Sequence, residues 1–130
     1  MRQAAYVDAS ALVKLAAAEP ESNAMLRWFT EVETVVTSRV GVIETHRAVA
    51  RVPHDPVHLR RALAEVDVLE VDVRVAEAAA RIAPAGLRTV DAIHLASAIE
   101  MGPALEAFVT YDDRLAAAAR ALGLPVVRPA

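Results

Sequence analysis

Cysteine is absent from this 130-residue sequence, which removes disulfide scaffolds, zinc ribbons and thiol catalysis together. Long apolar runs are missing too. The longest, residues 115–119, is five residues, far short of the roughly 20 that a membrane-spanning helix needs. An acid already stands at Asp8, too early for a secretory signal, so a soluble, cytoplasmic protein with no membrane partner is expected. Phosphate-cradling glycine loops are lacking: no G-x-G-x-x-G follows the first strand-like run, and no G-x-x-x-x-G-K-[ST] occurs. Neither G-x-S-x-G nor H-E-x-x-H is present, which excludes the usual nucleophile elbow and the helical zinc pair. His54 and His58 stand four apart, but Asp55-Pro56 begins a helix between them, so they read as solvated side chains. Lysine occurs once, as Lys14, and reads as structural.

What remains is rich in helix formers. Alanine fills 29 positions, and arginine supplies 13 of the 14 basic residues. The length suits one domain over residues 1–130, large enough to bury about two-thirds of its unfolded surface without staples. Strand-like runs at 4–8, 33–37, 68–71, 108–110 and 126–127 alternate with helical patterns at 10–18, 21–32, 39–51, 55–66, 74–83, 89–101 and 112–122. In the third of these helices Val42, Ile43, His46, Val49 and Ala50 are expected to share the inner face. In the last, Leu115, Ala118, Ala119 and Leu122 form one apolar stripe, and Gly123 stands where a helix-ending residue belongs. The alternation predicts an α/β domain with a mainly parallel five-stranded central sheet flanked by helices. In such sheets ligands bind outside the carboxyl ends of the strands.

Acids stand at those ends. Asp8 closes the first strand and Asp112 the fourth, with Asp113 beside it. Asp91 lies in the first turn of a helix, where the helix dipole favours an ionised carboxylate, and Glu44 lies within another helix. Each has a plainer reading: Asp8 and Asp112 as helix N-caps, Asp91 as a dipole-stabilising surface acid, Glu44 as a solvated side chain near Arg47 and Arg51. If strands one and four are neighbours, two carboxylates emerge at one edge and need a proton or a cation between them. An all-oxygen set of that kind suits Mg²⁺ or Mn²⁺.

The segments around these acids carry a resemblance. Val7-Asp8-Ala9-Ser10-Ala11-Leu12-Val13-Lys14-Leu15 followed by Glu19-Pro20, Leu87-Arg88-Thr89-Val90-Asp91-Ala92-Ile93-His94, and Val109-Thr110-Tyr111-Asp112-Asp113-Arg114-Leu115 occur in this order. Together they resemble PIN-domain ribonucleases, specifically the VapC-type toxins of toxin–antitoxin pairs, over essentially the whole chain. The resemblance implies a three-layer PIN-like domain with Asp8, Glu44, Asp91 and Asp112 as its acidic quartet. It makes Asp8, Asp91 and Asp112 the ligands of Mg²⁺ (or Mn²⁺), and Ser10 and Thr110 the hydroxyls that orient carboxylates. Asp113 doubles the acid after strand four.

By the same resemblance the chain is a metal-dependent endoribonuclease that hydrolyses RNA with a metal-activated water and acts as a toxin. Its expected partners are an RNA substrate, a small cognate antitoxin protein and a second copy in a homodimer, through the helices at 21–32 and 39–51. The alternatives are a PIN nuclease for RNA processing outside any toxin pair and a PIN-like module that binds without cutting. Arg39, Arg47, Arg51, Arg88 and Arg114 flank the motifs and offer phosphate contacts, with Arg88 the strongest candidate. His94, one turn after Asp91, reads as a buried, hydrogen-bonded histidine. The net charge of −3 becomes +1 once the four site acids are set aside, so mild acidity does not exclude an RNA partner.

Overall fold

The computed structural model describes residues 2–130. Five short strands form one sheet: β1 Ala4–Val7, β2 Val35–Ser38, β3 Val66–Leu69, β4 Leu105–Val109 and β5 Val126–Val127. Among the described residues, seven α-helices connect them: α1 Ala9–Val13, α2 Ser22–Glu31, α3 Arg39–Val49, α4 Pro56–Ala64, α5 Val73–Arg81, α6 Thr89–Glu100 and α7 Asp113–Ala121. Every strand pairing is parallel and the order is β3-β2-β1-β4-β5. The expected parallel α/β architecture is therefore present, with no antiparallel strand among the described residues.

Period-two alternation sorts the strand residues onto two buried faces. Ala5, Val7, Val35, Ala107 and Val109 pack with Leu12, Leu15 and Met25, so α1, α2 and α4 cover one side. Ala4, Tyr6, Val36 and Phe108 pack with Leu95, Ala98, Leu115 and Ala119, so α6 and α7 cover the other. Short polar residues start most helices. The side chains of Asp8, Ser38, Asp55, Asp72 and Asp112 each accept from a backbone amide in the first turn that follows. Gly123, at φ +78°, ends α7 in the left-handed region where only glycine is at ease.

Three expectations need correction. The first helix ends at Val13 rather than at residue 18. Beyond it the chain makes i→i+3 turns, and Lys14 is drawn inward to pair with Glu19 at 3.2 Å and Glu21 at 2.7 Å. Strand three lies two residues earlier than expected, because Val66 and Val68 stand in register with Val35 and Thr37 of β2. The inner face of α3 is also rotated. Gly41, Thr45 and Val49 are buried, whereas Ile43 and His46 are exposed. Apolar spacing pointed to Val42 and Ile43, but the small Gly41 is what lets the helix lie close to β2 and α6. A Cβ there would come within 2.1 Å of the Thr37 hydroxyl and 3.4 Å of the His94 ring.

Candidate active site

The strand order reverses direction at β1. From β1 the chain steps outward to β2 and β3, and later returns to the other side of β1 as β4 and β5. A crevice opens at such a switch point, beyond the carboxyl ends of the two central strands. Val7 pairs with Val109 across those strands, and the Asp8 amide donates to the Val109 carbonyl at 3.2 Å. The next residues, Asp8 and Thr110, therefore face one another at the crevice floor.

Asp8 is 4% exposed. The Ser10 hydroxyl donates to its Oδ1 at 2.7 Å, as does the Ala11 amide at 3.2 Å, and the Thr110 hydroxyl donates to Oδ2 at 2.7 Å. These three partners are neutral. Burial pushes the Asp8 carboxyl above its ordinary range, opposed by His94 when that ring is protonated and by the same hydrogen bonds. A desolvated carboxylate with only dipolar partners is an incomplete arrangement electrostatically, and a cation at the crevice would complete it.

Asp91 reaches the crevice from the opposite helical layer. It sits in the first turn of α6, 6% exposed, near the positive end of the helix dipole. Arg88, the residue that caps α6 and is 62% exposed, donates from Nε to Asp91 Oδ2 at 3.0 Å and from an Nη to Oδ1 at 3.3 Å. The same Nη reaches Asp112 Oδ2 at 3.3 Å. Arg88, expected as a substrate contact, thus bridges two of the acids. Asp112 serves as the N-cap of α7, its Oδ1 accepting from the amides of Arg114 and Leu115. Its other oxygen accepts from Arg88, so capping leaves one carboxylate oxygen turned away from the helix. Asp113 turns outward, 88% exposed, and pairs with Arg128 at 2.7 Å.

Glu44 extends from α3 and accepts from His94 Nε2 at 2.6 Å. Arg47 and Arg51 do not hold it, as the helical spacing alone suggests. They line a cavity of about 580 Å³ beside it, together with Ala9 and His46. Arg39 forks onto Glu70 instead, leaving it less free for substrate. Among the described residues no group of three acids or histidines converges tightly enough to form a finished metal cage. The donor set nonetheless fits a hard divalent ion: it is all oxygen, anionic, partly desolvated, and lacks soft ligands.

Several participants carried no separable sequence signal. Tyr111, beside Asp112, packs against Lys14 and donates its hydroxyl to the Pro129 carbonyl at 2.5 Å. Arg128 reaches back 3.1 Å to the Thr110 carbonyl. The link from His94 to Glu44 did have one: His94 lies three residues after Asp91, on the same face of α6.

Fold and site together define a parallel α/β domain whose crevice is built from carboxylates and supporting hydroxyls. Residues 5–121 match the PIN domain family, and the chain belongs to that family. It is 44% identical over 127 residues to Ribonuclease VapC46 of Mycobacterium tuberculosis, covering 97% of this chain and 98% of that one. It is 40% identical over 130 residues to Ribonuclease VapC47 of the same species, covering 95% and 96%. Among solved structures it matches M. tuberculosis VapC20, described as a sarcin-ricin loop cleaving toxin. The TM-score is 0.73 at 23% identity, over 95% of this chain and 98% of that one. A toxin–antitoxin complex from Klebsiella pneumoniae matches with a TM-score of 0.69 at 23% identity, over 97% and 98%. At those identities the solved structures speak to the fold. No helix among the described residues is long and apolar enough to cross a membrane.

Proposed function

We propose that this protein is a divalent-metal-dependent endoribonuclease and the toxin of a toxin–antitoxin pair. The observation that carries the reading is the buried Asp8 carboxylate at the sheet's switch point, held by neutral partners only, with Asp91 and Asp112 bridged by one guanidinium of Arg88. Full-length likeness to curated VapC ribonucleases supports the substrate class and the toxin role. Likeness to a toxin–antitoxin complex supports a small antitoxin as partner. A homodimer accords with the same family.

Asp8, Asp91 and Asp112 would hold Mg²⁺ or Mn²⁺, with Glu44 at the rim. When bound, such an ion supplies a water of lowered pKa and offsets negative charge gathering on the phosphoryl oxygens. The chain's own residues do the rest. Ser10 and Thr110 lock the Asp8 carboxylate by donating one hydrogen bond to each oxygen. Asp91 stands in the first turn of α6, where the helix dipole favours negative charge. Arg88 neutralises Asp91 and Asp112 at rest, and its exposed guanidinium has room to turn toward an RNA phosphate, which it matches bidentately. Arg47 and Arg51 offer further phosphate contacts along the neighbouring cavity.

The test is cleavage of total bacterial RNA with Mg²⁺ or Mn²⁺, comparing the wild type with Asp8→Asn and Asp91→Asn. Cleavage by the wild type alone supports the site. Equal cleavage by all three, or none by any, overturns it. Expression of the chain by itself should arrest growth, and the adjacent small reading frame should relieve the arrest. Normal growth with active protein present would favour RNA processing outside a toxin pair.

A further inference from the structure

His94 is buried to 1% exposure, yet both of its ring nitrogens are engaged. Nδ1 lies 2.7 Å from the Tyr6 hydroxyl, and Nε2 lies 2.6 Å from Glu44 Oε1. Tyr6 belongs to β1, His94 to α6 and Glu44 to α3, so one chain of hydrogen bonds joins the sheet and two helices. It runs from the centre of the core to the rim of the crevice. Building on the metal-site reading above, we propose that Tyr6 and His94 form a relay that orients the Glu44 carboxylate, making His94 a positioning residue for the cation rather than a ligand or a base.

The chemistry of the three groups sets the direction of the bonds. An ionised carboxylate only accepts, so Nε2 must carry the proton shared with Glu44. The Tyr6 phenol carries one proton, and its hydroxyl stands 2.7 Å from Nδ1, which is free to accept it. A ring that donates from Nε2 to Glu44 and accepts at Nδ1 from Tyr6 satisfies both partners at once. With both nitrogens occupied, neither is open to a metal. The phenol is itself held between the His94 ring, edge-on at 5.7 Å, and Phe108, stacked at 5.5 Å. The donor to Nδ1 is therefore locked in place by packing.

Gly41 supplies a second, independent observation. It precedes Glu44 by three residues on α3, so the two share a helical face. Its missing side chain lets α3 lie against Thr37, whose Oγ1 a Cβ would approach to 2.1 Å, and brings the helix to within contact of the His94 ring, whose Cε1 would lie 3.4 Å from such a Cβ. The close approach of α3 to α6 at Gly41 delivers Glu44 to His94 one turn further on. An isolated glutamate as exposed as Glu44 would sample several rotamers, and holding one costs side-chain entropy. The His94 bond offsets that cost before any ion arrives. Hydrogen bonds to metal-holding carboxylates commonly act in this way.

Two measurements on the full chain test the relay. The first is calorimetric titration with Mn²⁺ alone. His94→Asn keeps a short amide near Tyr6 but cannot reach Glu44, and should weaken Mn²⁺ binding about 10- to 100-fold, the scale seen for outer-sphere partners. Glu44→Gln should fall in the same range. His94→Gln, whose longer amide reaches the Nε2 position, should restore affinity to near the wild-type value. Tyr6→Phe, which removes only a hydroxyl, should weaken binding in the same direction, and it stands in should His94→Asn fail to fold. The second is a long-range ¹H–¹⁵N spectrum of the imidazoles without metal. His94 should show the Nε2–H form in the wild type and lose it in Glu44→Gln, whose amide can donate to a bare nitrogen.

Wild-type Mn²⁺ affinity in folded His94→Asn or, in its place, Tyr6→Phe overturns the relay, as does an Nδ1–H ring in the wild type. So does equal loss in His94→Asn and His94→Gln, which marks a packing role. The underlying metal site is judged separately by Asp91→Asn. Undiminished Mn²⁺ binding in that variant removes the site and with it the role given to Glu44. Its loss, with His94→Asn unchanged, leaves the site standing and rejects the relay alone.

Discussion

Thr110 donates its hydroxyl to Asp8 Oδ2 across 2.7 Å, although 102 residues separate the two in the chain. The contact exists because β1 and β4 are parallel neighbours in register, so the residues that leave the two strands meet at one edge. It places a hydroxyl and a carboxylate at the point where the sheet order reverses. A cation placed there would meet an acid already oriented.

Thr110→Val keeps the shape of the side chain and removes that donor. The buried Asp8 carboxylate then loses one of its three hydrogen bonds, and the metal-free protein should be destabilised by about 1–3 kcal/mol. Urea unfolding in the presence of a chelator measures this. Unchanged stability would mean that the hydroxyl does not support Asp8.

Asp8 should contribute to the metal-free wild type a component of stability that falls as pH rises through the acidic range, against the opposite contribution of the lowered carboxyls of Glu21, Asp55 and Glu70. Burial raises the Asp8 carboxyl in the folded protein above the unfolded value of about 3.9. Between those two values the native state holds a proton that the unfolded state has released, so each step up in pH favours unfolding. Asp8→Asn should remove this component of the slope. Thermal melts of both proteins from acid to neutral pH decide the matter. Adding Mn²⁺ at neutral pH should raise the wild-type melting temperature and leave that of Asp8→Asn nearly unmoved.

Arg88→Gln should have opposite effects on two ligands. Its guanidinium occupies both oxygens of Asp91 and one of Asp112, and a divalent ion must compete with it. Removing it should tighten Mn²⁺ binding by a few-fold, in line with the roughly 1 kcal/mol or less of a largely exposed ion pair. RNA binding should weaken, with a shallower dependence on salt. Calorimetry for the ion and filter binding for RNA give the two readings. A variant weaker for both would identify Arg88 as a structural clamp.

Gly41→Ala should destabilise the fold by about 1–3 kcal/mol through overpacking against Thr37. The backbone at Gly41 is ordinary helix, so the cost is spatial rather than conformational. A chemical-denaturation series measures it. An unchanged midpoint would mean that α3 has slack against β2.

Helix and strand content was readable from local pattern, because amphipathic spacing and capping residues act over a few neighbouring positions. Asp55-Pro56 opened α4 and Gly123 closed α7 where such residues should. Errors arose where a distant partner overrode local preference. Residues 14–18 have helix-forming composition, but Lys14 leaves the helix to pair with Glu19 and Glu21 and to lie under Tyr111. On α3, apolar spacing placed Val49 inward as found but also favoured Val42 and Ile43, whereas the close approach at Gly41 turned Gly41 and Thr45 inward instead. The outward turn of Asp113 toward Arg128 was likewise out of reach of spacing, since Asp112 and Asp113 are chemically alike.

The absence of cysteine and of phosphate-binding glycine loops, and the presence of acids just after strands, determined by sequence alone which chemistries were open to this protein. Residue type limits what a side chain can donate, accept or ligate, whatever the fold. The motif segments around Asp8, Asp91 and Asp112 likewise made the PIN-type resemblance legible in the chain itself. Only the tertiary structure decided how the acids are partnered: Asp8 with hydroxyls, Asp91 and Asp112 with Arg88, Glu44 with His94. Those pairings depend on strand order, register and helix approach. They bring together residues as far apart as 102 positions, a distance over which local sequence preference has no force.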